Sequence, residues 1–288
     1  MQQSGENQIR IKKVINNNIV EALDKSGNEM ILTGRGIGFK RTVGQFIDMT
    51  KVEKTYHMEE KNYQRKLREL VRQIPLAHLD ATQEMIDHIQ QVLGKPVNES
   101  LLISLADHIS FAIRRLEEGM NFDNPLRSSI MCYYPMEYNL GLDCLMIIER
   151  RLHARLPESE ASFIAMHILN AELNSDMSST NSMVRLMNGC IDEAEAYYGK
   201  TFDRDSLDFS RFAVHLRYLI QRLYQGKCLK KDSDNNSFLE MIQSSCRREY
   251  GCAEHIADYI RKTYGSGISE EEKIYLTIHL KRMEAGDV

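Results

Sequence analysis

Two segments of the chain repeat the same pattern around a histidine. His108 begins HISFAIRRLEEG and His215 begins HLRYLIQRLYQG, with an aromatic residue, an isoleucine, an arginine, a leucine and a glycine at matching positions. A second histidine follows each segment, His167 at the end of LPESEASFIAMH and His279 at the end of ISEEEKIYLTIH. A match of this length indicates a duplicated unit. The repeat therefore predicts four equivalent chemical sites, two in each unit.

The four repeated histidines have several possible roles. Apolar neighbours at helical spacing favour simple packing when any one histidine is considered alone. No HxxxH or HExxH spacing joins them, which disfavours a metal site, and no nucleophile accompanies them, which disfavours catalysis by a general base. Neutral imidazole can also accept a phosphoryl group on a ring nitrogen. Such a group adds up to about two negative charges and would shift an interface between helices or subunits.

The composition indicates a soluble protein of two or three domains. Hydrophobic residues make up 42% of the 288 residues and charged residues 27%, and no apolar run approaches the roughly 18 residues that span a bilayer. The first residues are polar, so we expect a cytoplasmic protein without membrane insertion. The six cysteines are scattered without a CxxC pair, which argues against disulfides and structural zinc. Nothing in the sequence indicates a metal or a cofactor.

Charge is distributed unevenly along the chain. Residues 9–41 contain seven basic and three acidic side chains, although the whole chain has a net charge of −4. The same region contains the run Asn16–Asn18 and the segment GRGIGF of residues 34–39. Asparagine amides can bind base edges, Phe39 can stack on an unpaired base, and Arg35, Lys12 and Lys13 can meet phosphates. These residue types suit RNA, while the simpler interpretation is that they form tight turns.

The residue pattern predicts strands followed by helices. Alternating or short apolar runs in the first 50 residues, separated by turn residues, predict a small antiparallel sheet, which we expect to pair with a second copy. From about Glu59 the apolar residues recur at helical spacing, and each repeated histidine falls within a helix. Gly119 and Gly226 lie where helices would end in the left-handed conformation. Ser269 and Glu272 form a capping-box pattern, and the polar residues 174–181 predict a turn between the repeats.

In combination, these motifs resemble the BglG/LicT/SacY-type family of bacterial transcriptional antiterminators. The resemblance covers nearly the whole chain and rests on six segments in order. They are KVINNN (13–18), GRGIGF (34–39), LADHISFAI (105–113), FIAMH (163–167), RFAVHLR (211–217) and LTIHLKR (276–282). The first histidine motif has Ala106 where the family more often has threonine, which removes a hydroxyl but leaves Asp107 and His108 in place.

The resemblance implies a multidomain protein with a small antiparallel β-sheet RNA-binding domain and two all-α helical-bundle regulation domains. The domains are expected at residues 1–56, 66–173 and 174–288, with a linker at 57–65. The family's RNA contacts correspond to Lys13, Asn16, Asn18, Gly34, Arg35, Gly36 and Phe39. Its phosphorylated histidines correspond to His108, His167, His215 and His279.

The resemblance also implies a mechanism and partners. Members bind, as homodimers, an RNA hairpin in the leader mRNA of a sugar-utilisation operon and so prevent a terminator from forming. Their regulation domains are phosphorylated by proteins of the sugar phosphotransferase system (PTS), the phosphocarrier HPr and a sugar-specific enzyme II permease. The first domain is usually inhibitory and the second often activating, and phosphorylation shifts dimerisation. The chain is thus expected to be a regulator and not an enzyme.

Two other functions remain open at this point. Similar regulation domains are also joined to helix-turn-helix modules, so the chain could be a PTS-regulated DNA-binding activator, although its strand-rich N-terminal region argues against this. A phosphotransfer enzyme would use the same histidines and pass the phosphoryl group to a further acceptor.

Overall fold

Strands precede helices along the chain, as the residue pattern predicts. The computed structural model describes residues 9–24, 27, 29–57, 74–227 and 236–285. They fall into two compact units, one within residues 1–121 and 143–157 and the other within residues 122–142 and 158–288. The predicted fold class, a small antiparallel sheet followed by helical domains, is confirmed.

Four antiparallel strands form the sheet in chain order. They are β1 (Arg10–Asn16), β2 (Ile19–Leu23), β3 (Glu29–Thr33) and β4 (Lys54–His57), and a short 3-10 turn (Met49–Lys51) precedes β4. The first three strands match the predicted apolar runs. The sequence gives little indication of β4, because its residues KTYH lack an alternating apolar pattern. It forms by pairing with β3, where Tyr56 lies opposite Ile31.

Both faces of the sheet are covered within the first unit. Alternation along each strand sends neighbouring side chains to opposite faces. One face carries Val20 and Leu32, and Ile37 and Ile47 from the following loop cover it. The other face carries Ile19 and Ile31 in a cluster completed by the helical region, with Ile74, Leu79 and Ala106 buried and Ile15, Leu76 and Ile103 packed against them. The sheet therefore buries its second apolar face against helices of the same chain.

Ten helices are present in the part of the chain that the structure describes. The first five are α1 (Leu76–Leu93), α2 (Ser100–Glu117), α3 (Arg127–Tyr133), α4 (Pro135–Leu152) and α5 (Ser159–Leu173). The next five are α6 (Met177–Tyr198), α7 (Leu207–Tyr224), α8 (Asn236–Ser245), α9 (Arg247–Tyr264) and α10 (Glu270–Ala285). His108 and His215 lie in the second helix of each set, and His167 and His279 in the fifth. The sequence repeat therefore corresponds to a repeat of five helices.

Helix ends follow the predicted capping residues. Gly119 and Gly226 have φ values of 71° and 64°, in the left-handed region that glycine adopts without steric cost. At the start of α10, the Ser269 hydroxyl accepts a hydrogen bond from the backbone N–H of Glu272 at 3.3 Å. The Glu272 carboxylate is not used for the reciprocal half of a capping box, because it binds side chains in the interior.

Most of the polar segment 174–181 is helical, whereas the sequence predicts a turn there. Asn174 ends α5 with φ 49°, but α6 already begins at Met177. Asp176 caps α6 by accepting a hydrogen bond from the backbone N–H of Ser179 at 2.7 Å. Thr180 is buried. Serine, threonine and asparagine favour turns and helix starts alike, so residue types alone do not separate the two outcomes.

Membrane-spanning character is absent from the described helices. None of them combines the length and the apolar composition that crossing a bilayer would require.

Replacing Ile31 with alanine tests the contact between the sheet and the helices. Ile31 is fully buried in that cluster, so Ile31→Ala should lower the free energy of unfolding by about 2–5 kcal/mol. Urea unfolding of the full chain measures the change. Val43→Ala is the control, because Val43 is 68% exposed and its truncation should cost less than about 0.5 kcal/mol. Equal effects of the two substitutions would contradict the proposed importance of the contact.

Candidate functional site

Two turns of the N-terminal sheet are joined by hydrogen bonds. The β1–β2 turn contains Asn17 and Asn18, and the second turn follows β3. The backbone N–H of Gly34 donates to the Asn18 carbonyl oxygen at 2.9 Å, and that of Gly38 to the Asn17 carbonyl oxygen at 2.9 Å. The Asn18 side-chain Oδ1 accepts from the backbone N–H of Gly36 at 2.9 Å. The two predicted RNA-binding segments therefore form one surface.

The glycines of the second turn have structural roles. A Cβ atom on Gly34 would lie 1.8 Å from the backbone oxygen of Lys51, so no side chain fits there. Gly36 has φ +70°, which side chains other than glycine rarely adopt. Gly34 shapes the turn by allowing two backbone segments to approach closely, and Gly36 shapes it by adopting a left-handed conformation. The family resemblance assigns both to the RNA contacts, and the geometry gives each a structural reason to be glycine.

The predicted contact side chains around these turns face solvent. Lys13 and Arg35 are exposed, and Phe39 is 56% exposed with the Lys40 ammonium 5.5 Å from its ring centroid. The side chain of Asn16 lies outside the described residues. An exposed aromatic ring beside a cation is suited to stacking on a base while the cation meets a phosphate.

The neighbouring, partly exposed Lys12 is paired with two carboxylates of the sheet. Its ammonium lies 3.1 Å from the carboxylate of Glu21, which is 1% exposed, and it also contacts the Glu29 carboxylate. The hydrogen bond to Glu29 is the main reason that the pKa of Lys12 is raised. Lys12 therefore neutralises buried charge, and Lys13 is the cation of this pair that faces outwards.

The two predicted histidines of the second helical set lie together. The rings of His215 on α7 and His279 on α10 stack with their centroids 5.2 Å apart and their planes 27° from parallel. Tyr275, on the same helix as His279, brings its ring centroid to 5.3 Å from that of His215. The repeat motif thus produces a histidine pair from two helices that are far apart in sequence.

A buried carboxylate anchors this pair. Glu272 Oε1 accepts hydrogen bonds from Arg222 Nε at 2.9 Å and Nη2 at 2.6 Å. Its other oxygen, Oε2, lies 3.5 Å from Nε2 of His215. Glu272 is 5% exposed, and a buried carboxylate is stable only when it is paired. The arrangement fixes the His215 ring from the side of Nε2.

The pKa values of Glu272 and His279 are both lowered, which leaves the first group charged and the second uncharged. Burial alone would raise the pKa of Glu272, but the His215 ring 3.5 Å away and the hydrogen bonds and charge of Arg222 lower it overall. Burial, followed by the charges of His215, Arg282 and Arg211, lowers the pKa of His279 to about 4. Glu272 is therefore ionised and His279 neutral near pH 7, and a neutral imidazole is the nucleophilic form.

The first helical set carries the same residue types at the same positions. His108 and His167 lie on α2 and α5, and both are partly buried. Arg115, seven residues after His108, is buried, as is Glu160, seven residues before His167. The sequence analysis identifies the repeated arginine, but it does not identify the glutamate that is also repeated. The equal spacing of Glu160 and Glu272 before the second histidine was the available signal.

Metal ligation is not indicated by the geometry. Across the described residues, histidine, cysteine, aspartate and glutamate do not gather in groups of three or more that could hold an ion.

Models of two protein families match the chain. The CAT RNA binding domain matches residues 9–65, and the PRD domain matches residues 83–171 and again 188–283. The transcription antiterminator LicT of Bacillus subtilis is 32% identical over 275 residues, covering 96% of this chain and 99% of the relative. The chain belongs to the CAT–PRD family of transcription antiterminators.

Other members of the antiterminator family are similar over the same extent. The beta-glucoside operon antiterminator of Dickeya chrysanthemi is 32% identical, covering 96% of this chain and 97% of the relative. Among solved structures, the crystal structure of GlcT CAT-PRDI is 31% identical and covers 57% of this chain and 98% of that chain, with a TM-score of 0.49.

Membership in the antiterminator family defines the kind of activity. The chain is an RNA-binding regulator of transcription termination, and its two PRD domains place it under control of the PTS. Its curated relatives are transcription antiterminators, which are regulators rather than enzymes.

The low pKa of His279 makes stability depend on pH. Between about pH 6.5 and pH 4 the unfolded chain binds a proton at this position and the folded chain does not, so folding loses stability as the pH falls through that range. His279→Gln should remove this contribution. Urea unfolding at about pH 7.5 and about pH 4.5 should therefore show a smaller loss of stability on acidification in the variant. An equal loss in both proteins, or an NMR titration midpoint of His279 near 6.5, would contradict the assignment.

Proposed function

We propose that this antiterminator binds, as a homodimer, a hairpin in the leader mRNA of a sugar-utilisation operon and prevents the overlapping terminator from forming. HPr and a sugar-specific enzyme II permease control it by phosphorylating His108, His167, His215 and His279. The domains lie at residues 1–56, 66–173 and 174–288. Such a protein works in the cytoplasm, where the transcript and both phosphodonors are available.

The RNA surface of this proposal consists of the two joined turns. Its contacts are Lys13, Asn16, Asn18, Gly34, Arg35, Gly36 and Phe39. The hydrogen bonds between the turns hold the exposed Phe39 and Arg35 close to the asparagine run. A base that leaves a helix at a bulge or loop can stack on Phe39, while Lys13 and Arg35 contact the backbone phosphates.

The observation that carries the regulatory part is the contact between the sheet and α2. Ala106 is fully buried in the cluster that contains Ile19 and Ile31 of the sheet. His108 follows two residues later on the same helix. Successive residues of a helix lie about 100° apart, so His108 lies on a different face of α2 from Ala106. A phosphoryl group on His108 would therefore add up to about two negative charges to the helix that supports the RNA-binding sheet, and α2 would connect the two.

Phosphorylation in the second domain would change the balance of charge at the His215–His279 pair. Two phosphoryl groups on rings 5.2 Å apart would repel each other and would attract the nearby cations Arg211 and Arg282. A rearrangement of this kind supports a shift in dimerisation, because packed interfaces have a small number of alternative arrangements.

RNA binding can be tested with two substitutions on the turn surface. Phe39→Ala should weaken binding of the leader hairpin by about 5- to 150-fold, because a stacked base contributes about 1–3 kcal/mol. Arg35→Gln should lower the slope of log affinity against log salt by about one. Electrophoretic mobility shifts of the full chain at several salt concentrations measure both effects.

Val43→Ala provides the matched control for the RNA experiment. Val43 is an exposed apolar residue of the same region and lies outside the proposed surface. Its variant should bind RNA like the unchanged chain. If Phe39→Ala binds equally well, the assigned surface is wrong, and if the unchanged chain binds duplex DNA in preference to the hairpin, the alternative of a DNA-binding activator is favoured.

Phosphorylation can be tested by transfer from labelled phosphoenolpyruvate through enzyme I and HPr. Stable label should appear on the chain and disappear when His108, His167, His215 and His279 are all replaced by alanine. His255→Ala is the control and should keep its label, because His255 is an exposed histidine that is hydrogen-bonded to Glu193. Rapid passage of the label to a further acceptor would instead indicate a phosphotransfer enzyme.

A further inference from the structure

The two ring nitrogens of His215 have different surroundings. Nε2 is buried and lies 3.5 Å from Oε2 of Glu272, although the side chain as a whole is 16% exposed. Which nitrogen of an imidazole carries the hydrogen is set by the partner of that nitrogen, and an ionised carboxylate requires a donor. The tautomer of His215 that suits this carboxylate carries its hydrogen on Nε2. Nδ1 keeps its lone pair on the side of the ring away from Glu272.

His279 has the opposite arrangement. Its buried ring nitrogen is Nδ1, while the side chain is only partly buried. Nε2 is then the nitrogen left for a donor to approach. The stacked pair thus offers two different nitrogens, although both rings come from equivalent positions of helices in one domain.

We propose that the second regulation domain accepts phosphoryl groups on opposite ring nitrogens, Nδ1 of His215 and Nε2 of His279, and that Glu272 is the positioning residue of His215. This inference rests on the proposed function, in which both histidines are phosphorylated. It adds the atom that accepts the phosphoryl group and the residue that selects it.

The transfer step balances without an external acid or base. The Nδ1 lone pair of His215 attacks the phosphorus of a phosphohistidine donor while the P–N bond of the donor breaks, and the donor nitrogen keeps that electron pair. The His215 ring retains its Nε2 hydrogen and gains a positive charge, and the donor ring loses one. The Glu272 carboxylate faces the new charge, as the carboxylate of a Ser-His-Asp triad faces its imidazolium.

Arg222 holds Glu272 ready for this role. Both of its hydrogen bonds go to Oε1, at 2.9 and 2.6 Å, which leaves Oε2 directed to His215. Ser269 caps the helix at the backbone of the same residue. The carboxylate is therefore held in place before the donor arrives, which is the condition for electrostatic stabilisation of a developing charge.

The proposal is tested by identifying the phosphohistidine isomer at each position in the full chain. In a His108→Ala, His167→Ala background, one variant also carries His279→Ala and the other carries His215→Ala. Each is labelled through enzyme I and HPr and hydrolysed in alkali, and the two isomers are separated by chromatography against standards. The first variant should yield Nδ1-phosphohistidine and the second Nε2-phosphohistidine.

Each other outcome has a defined meaning. Nε2-phosphohistidine from the first variant, or the same isomer from both, overturns the inference. Loss of label in either variant, when the unchanged chain is labelled, also overturns it, because each ring is assigned its own accessible nitrogen. An unchanged chain without any label contradicts the proposed function instead.

Two substitutions of Glu272 test its positioning role. Glu272→Gln keeps a carbonyl oxygen for Nε2–H but removes the charge, so labelling of His215 should slow on the order of 100-fold with the isomer unchanged. Glu272→Ala removes the acceptor, and both isomers should appear. Lys273→Gln is the control, because Lys273 lies next to Glu272 but pairs with Glu270 at 2.6 Å.

The glutamine variant keeps this test valid if the alanine variant does not fold. Circular dichroism melting of each variant identifies a loss of structure. A folded Glu272→Gln chain that is labelled at the rate of the unchanged chain would contradict the role of the carboxylate. A folded Glu272→Ala chain that yields a single isomer would contradict it as well.

Discussion

The packing of the sheet on the first helices is the constraint on which the rest of this protein depends. A four-stranded sheet with one open apolar face is marginal in water, and Ile19 and Ile31 need a cover. In this structure the cover is provided by residues such as Leu79 and Ala106 of the regulatory region. The RNA-binding sheet thus owes part of its stability to helices of the regulatory region, one of which contains His108.

The sequence predicts the secondary-structure elements of this protein better than the contacts between them. The repeat placed four histidines in helices and the apolar runs gave three strands, because both signals are local. β4 was missed because Lys54–His57 form a strand only through pairing with β3, and residues 177–181 were assigned to a turn because polar caps fit either conformation. The pairing of Glu272 with Arg222 joins two helices that are far apart in sequence. In the sequence, only the repeated spacing of the two residues indicates it.

The buried Glu272–Arg222 pair contributes specificity more than stability. Desolvation of two charges offsets much of their attraction, so an apolar pair of similar volume would stabilise the bundle at least as well. The ion pair joins α7 to α10 in the same bundle where His215 and His279 lie 5.2 Å apart.

The hydrogen bonds between the two turns have a consequence for timing. Because these bonds already order the backbone of the proposed RNA surface, the protein loses little conformational entropy there when RNA binds. In the proposed function, the leader of the transcript must still fold into a shape that this surface binds before the polymerase reaches the terminator. Each round of transcription is then decided by the rate at which the leader RNA folds. The protein contributes the number of molecules that are ready to bind.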